Sequence, residues 1–257
     1  MSILTDRIRV ANASGRKAVI PYLPAGFPDK AQFWRELAAL DAGGADVIEI
    51  GVPFSDPVAD GPVVEQASLE CLERGVNLAW ILQELTARKG SFKAGLVLMG
   101  YYNPFLQYGL EKLGQDCAAA GVAGLIIPDL PLEESGPMAQ ALSAADVALI
   151  RLIGLNTPLE RLEMYARGAK GFVYFVSVLG TTGVRESLPE EVLAKLREVR
   201  PLFSVPIALG FGISRPDQVT PFGDLIDAAV VGSALVKQVR DGAGAAGFMR
   251  SWRAGGR

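Results

Sequence analysis

Short apolar runs alternate along the whole chain with longer stretches in which apolar residues recur every three or four positions. The short runs are dominated by Val, Ile, Leu and Ala, and this composition over so few residues predicts buried β-strands. We predict eight strands, at residues 18–23, 47–51, 94–99, 124–127, 148–152, 171–175, 207–209 and 228–231.

The longer stretches have the periodicity of amphipathic helices. In residues 31–42, for example, Phe33, Leu37 and Leu40 fall on one helical face and Arg35 on the opposite one. Further helices are predicted at residues 110–120, 137–144, 158–167 and 189–199.

A strand followed by a helix, repeated along a chain, predicts parallel strands joined by helical crossovers. Eight such units in 257 residues fit a (β/α)8 TIM barrel, with an extra N-terminal helix, that forms a single domain over residues 1–257. An open doubly wound sheet also alternates strands with helices, but its first strand is typically followed by a glycine-rich phosphate turn. Here PAGFPD follows the first strand, so we expect the barrel.

Composition and charge exclude several classes of function. The net charge is −3 and no block of Lys or Arg occurs, so nothing predicts binding to nucleic acid or to an acidic membrane. The longest apolar run, residues 117–127, is too short to span a bilayer, and the charged N-terminus is unlike a signal peptide. Cys71 and Cys117 are far apart and are expected to be buried thiols. We expect a cytoplasmic protein.

The chain contains no histidine. This excludes histidine-based triads, histidine metal sites and imidazole acid–base catalysis. We therefore expect no metal site, and any acid–base chemistry must use carboxyl groups, tyrosine, lysine or cysteine.

Glu49 interrupts the second apolar strand, and Asp60 lies in the loop that follows. Inside a barrel, loss of contact with water would raise the pKa of Glu49 and leave it able to donate a proton. Asp60, beside the barrel mouth, is expected to stay ionised, so the two carboxyl groups can form an acid/base pair. The structural alternative is that Glu49 bonds to backbone groups while Asp60 caps a helix beginning near Pro62.

Glycines mark the ends of the last two strands. Gly212 follows the seventh strand, Gly232 follows the eighth, and Ser233 begins what is predicted to be a short helix. Backbone N–H groups at such places bind phosphate in many barrels. Alternatively, the two glycines only permit tight turns.

The sixth strand contains Tyr174 and leads into the glycine-rich segment 178–189. Tyr174 either donates a phenol into the barrel or fills the core, and the segment is predicted to be a mobile lid or an ordinary flexible loop. A Schiff-base mechanism would need a lysine where a strand ends. Lys17, Lys93 and Lys170 instead precede strands, and the other lysines fall in predicted helices or turns, so we expect no imine chemistry.

Several motifs resemble the tryptophan synthase α chain family over nearly the whole chain. The most distinctive is IEIGVPFSDPVADGP at residues 48–62. The others are PYLPAGFPD at 21–29, LMGYYNPFLQYG at 98–109, IPDLPLEES at 127–135, YFVSVLGTTGVR at 174–185, GFGIS at 210–214 and VGSALV at 231–236.

The resemblance implies a lyase that cleaves indole-3-glycerol phosphate into indole and glyceraldehyde 3-phosphate, with a specific set of site residues. It implies that Glu49 is the general acid/base, that Asp60 holds the indole N–H and that Tyr174 assists Glu49. It also implies substrate- and phosphate-binding roles for a second set of residues, which are Tyr22, Thr182, Gly183, Gly212, Gly232 and Ser233. Met99 and Ile126 are expected to pack around the indole.

The resemblance also implies a partner, the tryptophan synthase β chain, in an αββα heterotetramer. Pyridoxal phosphate is expected in that partner, and no cofactor is expected in this chain. Two alternatives remain open: a free-standing lyase without a β partner, and a barrel that has lost activity and serves as a binding subunit.

Overall fold

The barrel expected from the alternation of strands and helices is present. The computed structural model describes residues 2–177, 190–210 and 212–255. All eight predicted strands form, run parallel and pair in chain order, and the last strand pairs with the first to close the barrel. The strands are β1 (Ala18–Pro24), β2 (Val47–Gly51), β3 (Gly95–Met99), β4 (Val122–Ile126), β5 (Ala148–Gly154), β6 (Val173–Val176), β7 (Ile207–Gly210) and β8 (Ala228–Val231).

Six of the eight strands differ from their predicted bounds by one or two residues, and β2 and β8 match them. Glycines lie at the two starts that moved by two residues. Strand β4 begins at Val122, directly after Gly121, whose φ of +76° ends the preceding helix. Strand β6 begins only at Val173, because Gly171 has a φ of +73° and is not extended. Local apolar patterns do not reveal such left-handed residues, which favour glycine.

Helices surround the barrel. In the described parts of the chain they are α1 (Ile3–Ala13), α2 (Lys30–Ala42), α3 (Pro62–Glu73), α4 (Leu78–Ala87), α5 (Tyr102–Tyr108), α6 (Leu110–Ala120), α7 (Gly136–Ala144), α8 (Leu159–Arg167), α9 (Glu190–Val199), α10 (Ser233–Arg240) and α11 (Gly244–Gly255), with 3₁₀ turns at Leu132–Glu134, Arg200–Leu202 and Pro216–Leu225. None of the helices among these residues has the length and apolar character needed to cross a bilayer.

The extra N-terminal helix closes the end of the barrel at which the strands begin. Leu4 of α1 is fully buried, and a Cβ atom added to Gly95, Gly124 or Gly171 would come within 2.8 to 3.2 Å of its side chain. The hydroxyl of Thr5 donates to the carbonyl of Gly171 at 2.6 Å. The glycines thus make room for the helix, and the opposite end of the barrel is left for a site.

A partly buried ion pair fixes the same end. The Nη1 and Nη2 atoms of Arg16 each donate to the Asp46 carboxylate at 2.7 Å, and the backbone N–H of Val19 donates to it at 2.9 Å. Arg16 and Asp46 precede β1 and β2, so the contact sets how these two strands enter the barrel. Because Asp46 is buried, losing one partner of such a pair costs more than losing a surface pair.

Candidate active site

A cavity of about 670 Å³ opens where the barrel strands end. This is the end at which barrels of this kind carry their functional groups. Its lining includes most of the site residues expected from the sequence: Tyr22, Glu49, Asp60, Met99, Tyr174, Gly212, Gly232 and Ser233. Ile126 is buried in β4 and is not among the lining residues, while Thr182 and Gly183 lie outside the described residues.

Glu49 lies in the middle of β2, in register with Tyr22 of β1 and Val97 of β3. Only 3% of the residue is exposed, and its buried Oε2 atom has no hydrogen-bond partner among the described residues. Burial, with a contribution from the charge of Asp60, raises the pKa of Glu49 to about 8. The side chain thus faces the cavity as expected, and at neutral pH it holds a proton.

Asp60 lies in the loop between β2 and α3 and is half-buried. Burial raises its pKa to about 6, although a hydrogen bond from Tyr101 acts in the opposite direction. Asp60 therefore does not have the ordinary pKa of an exposed aspartate, but it remains mostly ionised at pH 7. It does not cap the next helix: the N-cap of α3 is Gly61, with no side-chain hydrogen bond in the described structure.

Tyr101 was not predicted as a site residue, and the structure places it against Asp60. Its phenol Oη donates to the Asp60 carboxylate at 3.2 Å and accepts from the backbone N–H of Ala59 at 3.0 Å. Its ring stacks on Phe54, with ring centroids 5.3 Å apart. Tyr101 therefore holds the loop of Phe54, Ala59 and Asp60 against the end of β3.

Two other tyrosines lie over glycines of neighbouring strands. A Cβ atom at Gly51 would lie 2.3 Å from the Oη of Tyr22, and one at Gly210 would lie 2.3 Å from the Oη of Tyr174. Burial, followed by the charges of the two carboxyl groups, raises the pKa of both phenols well above the ordinary value. Tyr22 and Tyr174 are therefore protonated at neutral pH and can donate hydrogen bonds but not act as bases.

The opposite wall of the cavity is formed by backbone. Gly212 has a φ of +87°, a left-handed conformation that favours glycine. Gly232 is the N-cap of α10, Ser233 is its first residue, and no side chain caps this helix in the described structure. The first N–H groups of a helix have no partner within the helix and carry partial positive charge, so this wall suits an anion.

Not every polar group of that wall is available to a ligand. The backbone N–H of Ser214 donates to the Oε1 atom of Gln218 at 2.8 Å, and the Ser214 hydroxyl bonds to the same atom at 3.1 Å. Ser214 lines the cavity, but its hydrogen-bonding groups already serve the 3₁₀ turn that follows β7. The N-terminus of α10 is thus the better-placed donor.

Three polar residues of the lining were missed by sequence reasoning: Lys237 and Gln238 of α10, and Asp241 directly after it. A polar residue in an amphipathic helix is normally taken as solvent-exposed. The position of Lys237 four residues after Ser233 was the available signal, because residues with this spacing share a helical face.

Metal ligands are not grouped in the described ranges: nowhere there do three or more Cys, Asp or Glu side chains lie together in a way that could hold a metal ion.

Comparisons with known proteins identify the family of the chain. A family model described as tryptophan synthase alpha chain matches residues 8–249. The tryptophan synthase alpha chain of Solidesulfovibrio magneticus is 66% identical over 252 residues, covering 98% of each chain, and that of Maridesulfovibrio salexigens is 54% identical, covering 97% of this chain and 98% of the relative. A solved structure of Mycobacterium tuberculosis tryptophan synthase superposes with a TM-score of 0.90 at 33% identity, covering 100% of this chain and 98% of that one. On these grounds the chain belongs to the tryptophan synthase α chain family.

Proposed function

We propose that this chain, a carbon–carbon lyase of its family, cleaves indole-3-glycerol phosphate to indole and glyceraldehyde 3-phosphate with Glu49 as the proton carrier. One observation carries the assignment of the residues: a proton-holding carboxyl group without a hydrogen-bond partner for its Oε2 atom lies in a cavity whose other wall suits a phosphate.

The carboxyl group of Glu49 donates its proton to C3 of the indole, the carbon that bears the glycerol phosphate side chain. The bond between C3 and the side chain then breaks, and its electrons restore the aromatic ring. The neighbouring side-chain hydroxyl becomes the aldehyde and returns its proton to the Glu49 carboxylate. One carboxyl group thus serves as acid and then as base, which requires a pKa near the working pH.

Protonation of C3 places positive charge on the indole ring. Asp60, with a pKa of about 6, is mostly ionised at neutral pH. Its carboxylate accepts a hydrogen bond from the indole N–H and stabilises this charge. Such electrostatic stabilisation is strong in a site with little water. The different pKa values of Asp60 and Glu49 allow the two carboxyl groups to perform opposite tasks at one pH.

The remaining groups bind and orient the substrate. Gly212, Gly232 and Ser233 bind the phosphate through backbone N–H groups and the N-terminus of α10. Tyr174 assists Glu49, and Tyr22 and Met99 contact the indole. We propose that Thr182 and Gly183, which lie outside the described residues, complete the phosphate site.

The proposal extends to the assembly. We propose that the chain works in the cytoplasm as the α subunit of an αββα tryptophan synthase, and that the indole passes to a β chain that carries pyridoxal phosphate. The family membership supports this proposal, because the related Mycobacterium tuberculosis protein is described as tryptophan synthase.

The experiment is indole release from indole-3-glycerol phosphate by the purified chain, measured with and without a tryptophan synthase β chain. Slow release that accelerates with the partner supports both parts of the proposal. Fast release that is indifferent to the partner supports a free-standing lyase, and no release under either condition contradicts the roles given to Glu49 and Asp60.

A further inference from the structure

The charges around the cavity do not match an anionic substrate. Among the described lining residues Lys237 is the single cation, while Asp60 and Asp241 are acidic and Glu49 holds its proton at neutral pH. A phosphate ester carries a charge of about −1.5 to −2 at pH 7. The partial charge at the N-terminus of one helix offsets only about half a unit charge, so Lys237 is the group that can supply most of the compensation among these residues.

The position of Lys237 directs its side chain towards the proposed phosphate site. Lys237 follows Ser233 by four residues in α10 and lines the same cavity. Side chains of a helix point back towards its N-terminus, and residues four apart lie above one another. From this position the ammonium group can reach the first turn of α10, on the face that carries Ser233.

Lys237 is also free to bind an anion. It is exposed, and among the described residues no carboxylate lies within ion-pair distance of its Nζ atom, not even Asp241 one turn later. Arg240, the other cation in the last turn of α10, is instead paired with Glu70 at 2.8 Å. One basic residue of the helix is therefore used in a surface ion pair, while the other faces the cavity without one.

We propose that Lys237 is a substrate-binding residue that pairs with the phosphate of the substrate. This rests on the proposed function and adds a charged side chain to a phosphate site that, among the described residues, is otherwise built from backbone groups and the Ser233 hydroxyl. The ammonium group both attracts the dianion to the mouth of the cavity and holds it over the N-terminus of α10. It takes no part in proton transfer.

The test compares Lys237→Met with Lys237→Arg and with Lys89→Met in the full-length chain. Lys89 follows α4 beside the end of the barrel where the strands begin, so its substitution removes the same charge away from the cavity. Steady-state kinetics with indole-3-glycerol phosphate give kcat and KM separately, and inorganic phosphate serves as a competitive probe of the anion site.

For Lys237→Met we expect KM for indole-3-glycerol phosphate and the inhibition constant of inorganic phosphate to rise together by about tenfold, while kcat changes by less than about threefold, because ground-state binding is lost and proton transfer is not. The dependence of kcat/KM on ionic strength should also weaken. Lys237→Arg should stay within about threefold of the wild type, and Lys89→Met should match it.

Three results would overturn the proposal. They are an unchanged KM and phosphate inhibition in Lys237→Met, an equal loss in Lys89→Met, and a Lys237→Arg variant as weak as Lys237→Met. A Glu49→Gln variant that keeps its turnover would contradict the proposed function, not the role of Lys237. If inorganic phosphate still inhibits that variant as strongly as it inhibits the wild type, the anion site is intact although the proposed role of Glu49 is wrong.

Discussion

The two walls of the cavity have opposite electrostatic character: one carries carboxyl groups and the other carries groups that attract an anion. The wall at the ends of β2 and β3 buries carboxyl groups, and burial raises the pKa of Glu49 to about 8 and that of Asp60 to about 6. The wall at the ends of β7 and β8 presents glycine backbone, an uncapped helix N-terminus and an exposed lysine. In the proposed reaction, the first wall changes its protonation state, whereas the second offers fixed positive charge to the substrate phosphate.

The raised pKa of Glu49 makes the free energy of unfolding depend on pH. A carboxyl group whose pKa is raised on folding binds its proton more tightly in the folded state, so stability falls as pH rises from the unfolded value through the folded one. For Glu49 this window runs from 4.5 to about 8. The opposite wall contains no comparable buried charge among the described residues, and its helix N-terminus is simply an available donor. The wall that carries Glu49 should therefore make the protein less stable at neutral pH than at pH 5.

The largest expected effect comes from Glu49→Gln. Removing the proton carrier should lower kcat by about 10³-fold, while inhibition by inorganic phosphate stays at the wild-type level. The variant should also be more stable than the wild type at pH 8, by on the order of 4 kcal/mol, since the pKa of Glu49 is displaced from 4.5 to about 8 and each unit of displacement is worth about 1.4 kcal/mol. Steady-state assays of indole release measure kcat, and thermal unfolding between pH 5 and 8 measures the stability of both proteins.

Glu36→Gln is the matched control for that variant. Glu36 is also a buried carboxylate, but it accepts hydrogen bonds from the backbone N–H of Ala245 at 2.6 Å and from the side chain of Gln32. Its substitution should destabilise the fold and leave kcat within about threefold. A stabilised Glu36→Gln, or a Glu49→Gln variant that retains most of its activity, would show that the absence of a partner at Glu49 is unrelated to its role.

The second effect in size is expected for Asp60→Asn. The amide keeps the shape of the side chain but cannot stabilise positive charge on the indole, so kcat/KM should fall by about 10²-fold. The bell-shaped pH profile of kcat/KM expected for the wild type, with limbs near pH 6 and pH 8, should retain only the alkaline limb and the titration of the substrate phosphate. If the pH profile of Asp60→Asn kept the acid limb of the wild type unchanged, that limb would belong to the substrate phosphate and not to Asp60.

On the phosphate wall, Gly212→Ala and Gly232→Ala form a matched pair with a smaller expected effect. Gly212 has a φ of +87°, so alanine is strained there, whereas Gly232 has a φ of −107° and an added Cβ atom would lie 3.4 Å from Tyr22 in ordinary contact. We expect KM to rise by about tenfold in Gly212→Ala and by less than about threefold in Gly232→Ala, with kcat little changed in both. Equal effects on KM would contradict the structural distinction.

Tyr101→Phe should give the smallest effect on rate and a specific effect on pH dependence. The Tyr101 hydroxyl lowers the pKa of Asp60, so its loss should raise that pKa and move the acid limb of kcat/KM to higher pH, with a few-fold lower activity at pH 7. The neighbouring Tyr102→Phe removes a phenol that makes no side-chain hydrogen bond to the described residues and should leave the limb in place. A limb that moves in both variants, or in neither, would contradict the role of Tyr101.

Local sequence patterns were sufficient to predict the barrel and the position of Glu49. The apolar runs of the eight strands alternate with amphipathic helices, and these are short-range signals. A glutamate within an apolar strand is a signal of the same kind, because strand alternation alone determines which way its side chain faces. Strand β2, with Glu49 at its centre, was predicted with the observed boundaries, Val47–Gly51.

Contacts between distant segments were not predictable in this way. The bond between Tyr101 and Asp60 joins the end of β3 to the loop between β2 and α3, and in the sequence a buried tyrosine at a strand end is indistinguishable from a core residue. The pKa of Asp60 depends on how its loop packs, so an ordinary ionised aspartate was expected. Lys237 was assigned only to a predicted helix or turn, because only the closed barrel shows that this face of α10 meets the cavity.

The central claim is that burial gives Glu49 a proton at neutral pH, and the most direct test is to titrate its side-chain carboxyl carbon by ¹³C NMR in protein labelled at glutamate. The signal is assigned by its absence in Glu49→Gln. We expect a midpoint near pH 8, with Glu36→Gln retaining the same signal and midpoint. A midpoint near the ordinary glutamate value of about 4.3 would contradict the claim, because Glu49 would then have no proton to give to the indole at neutral pH.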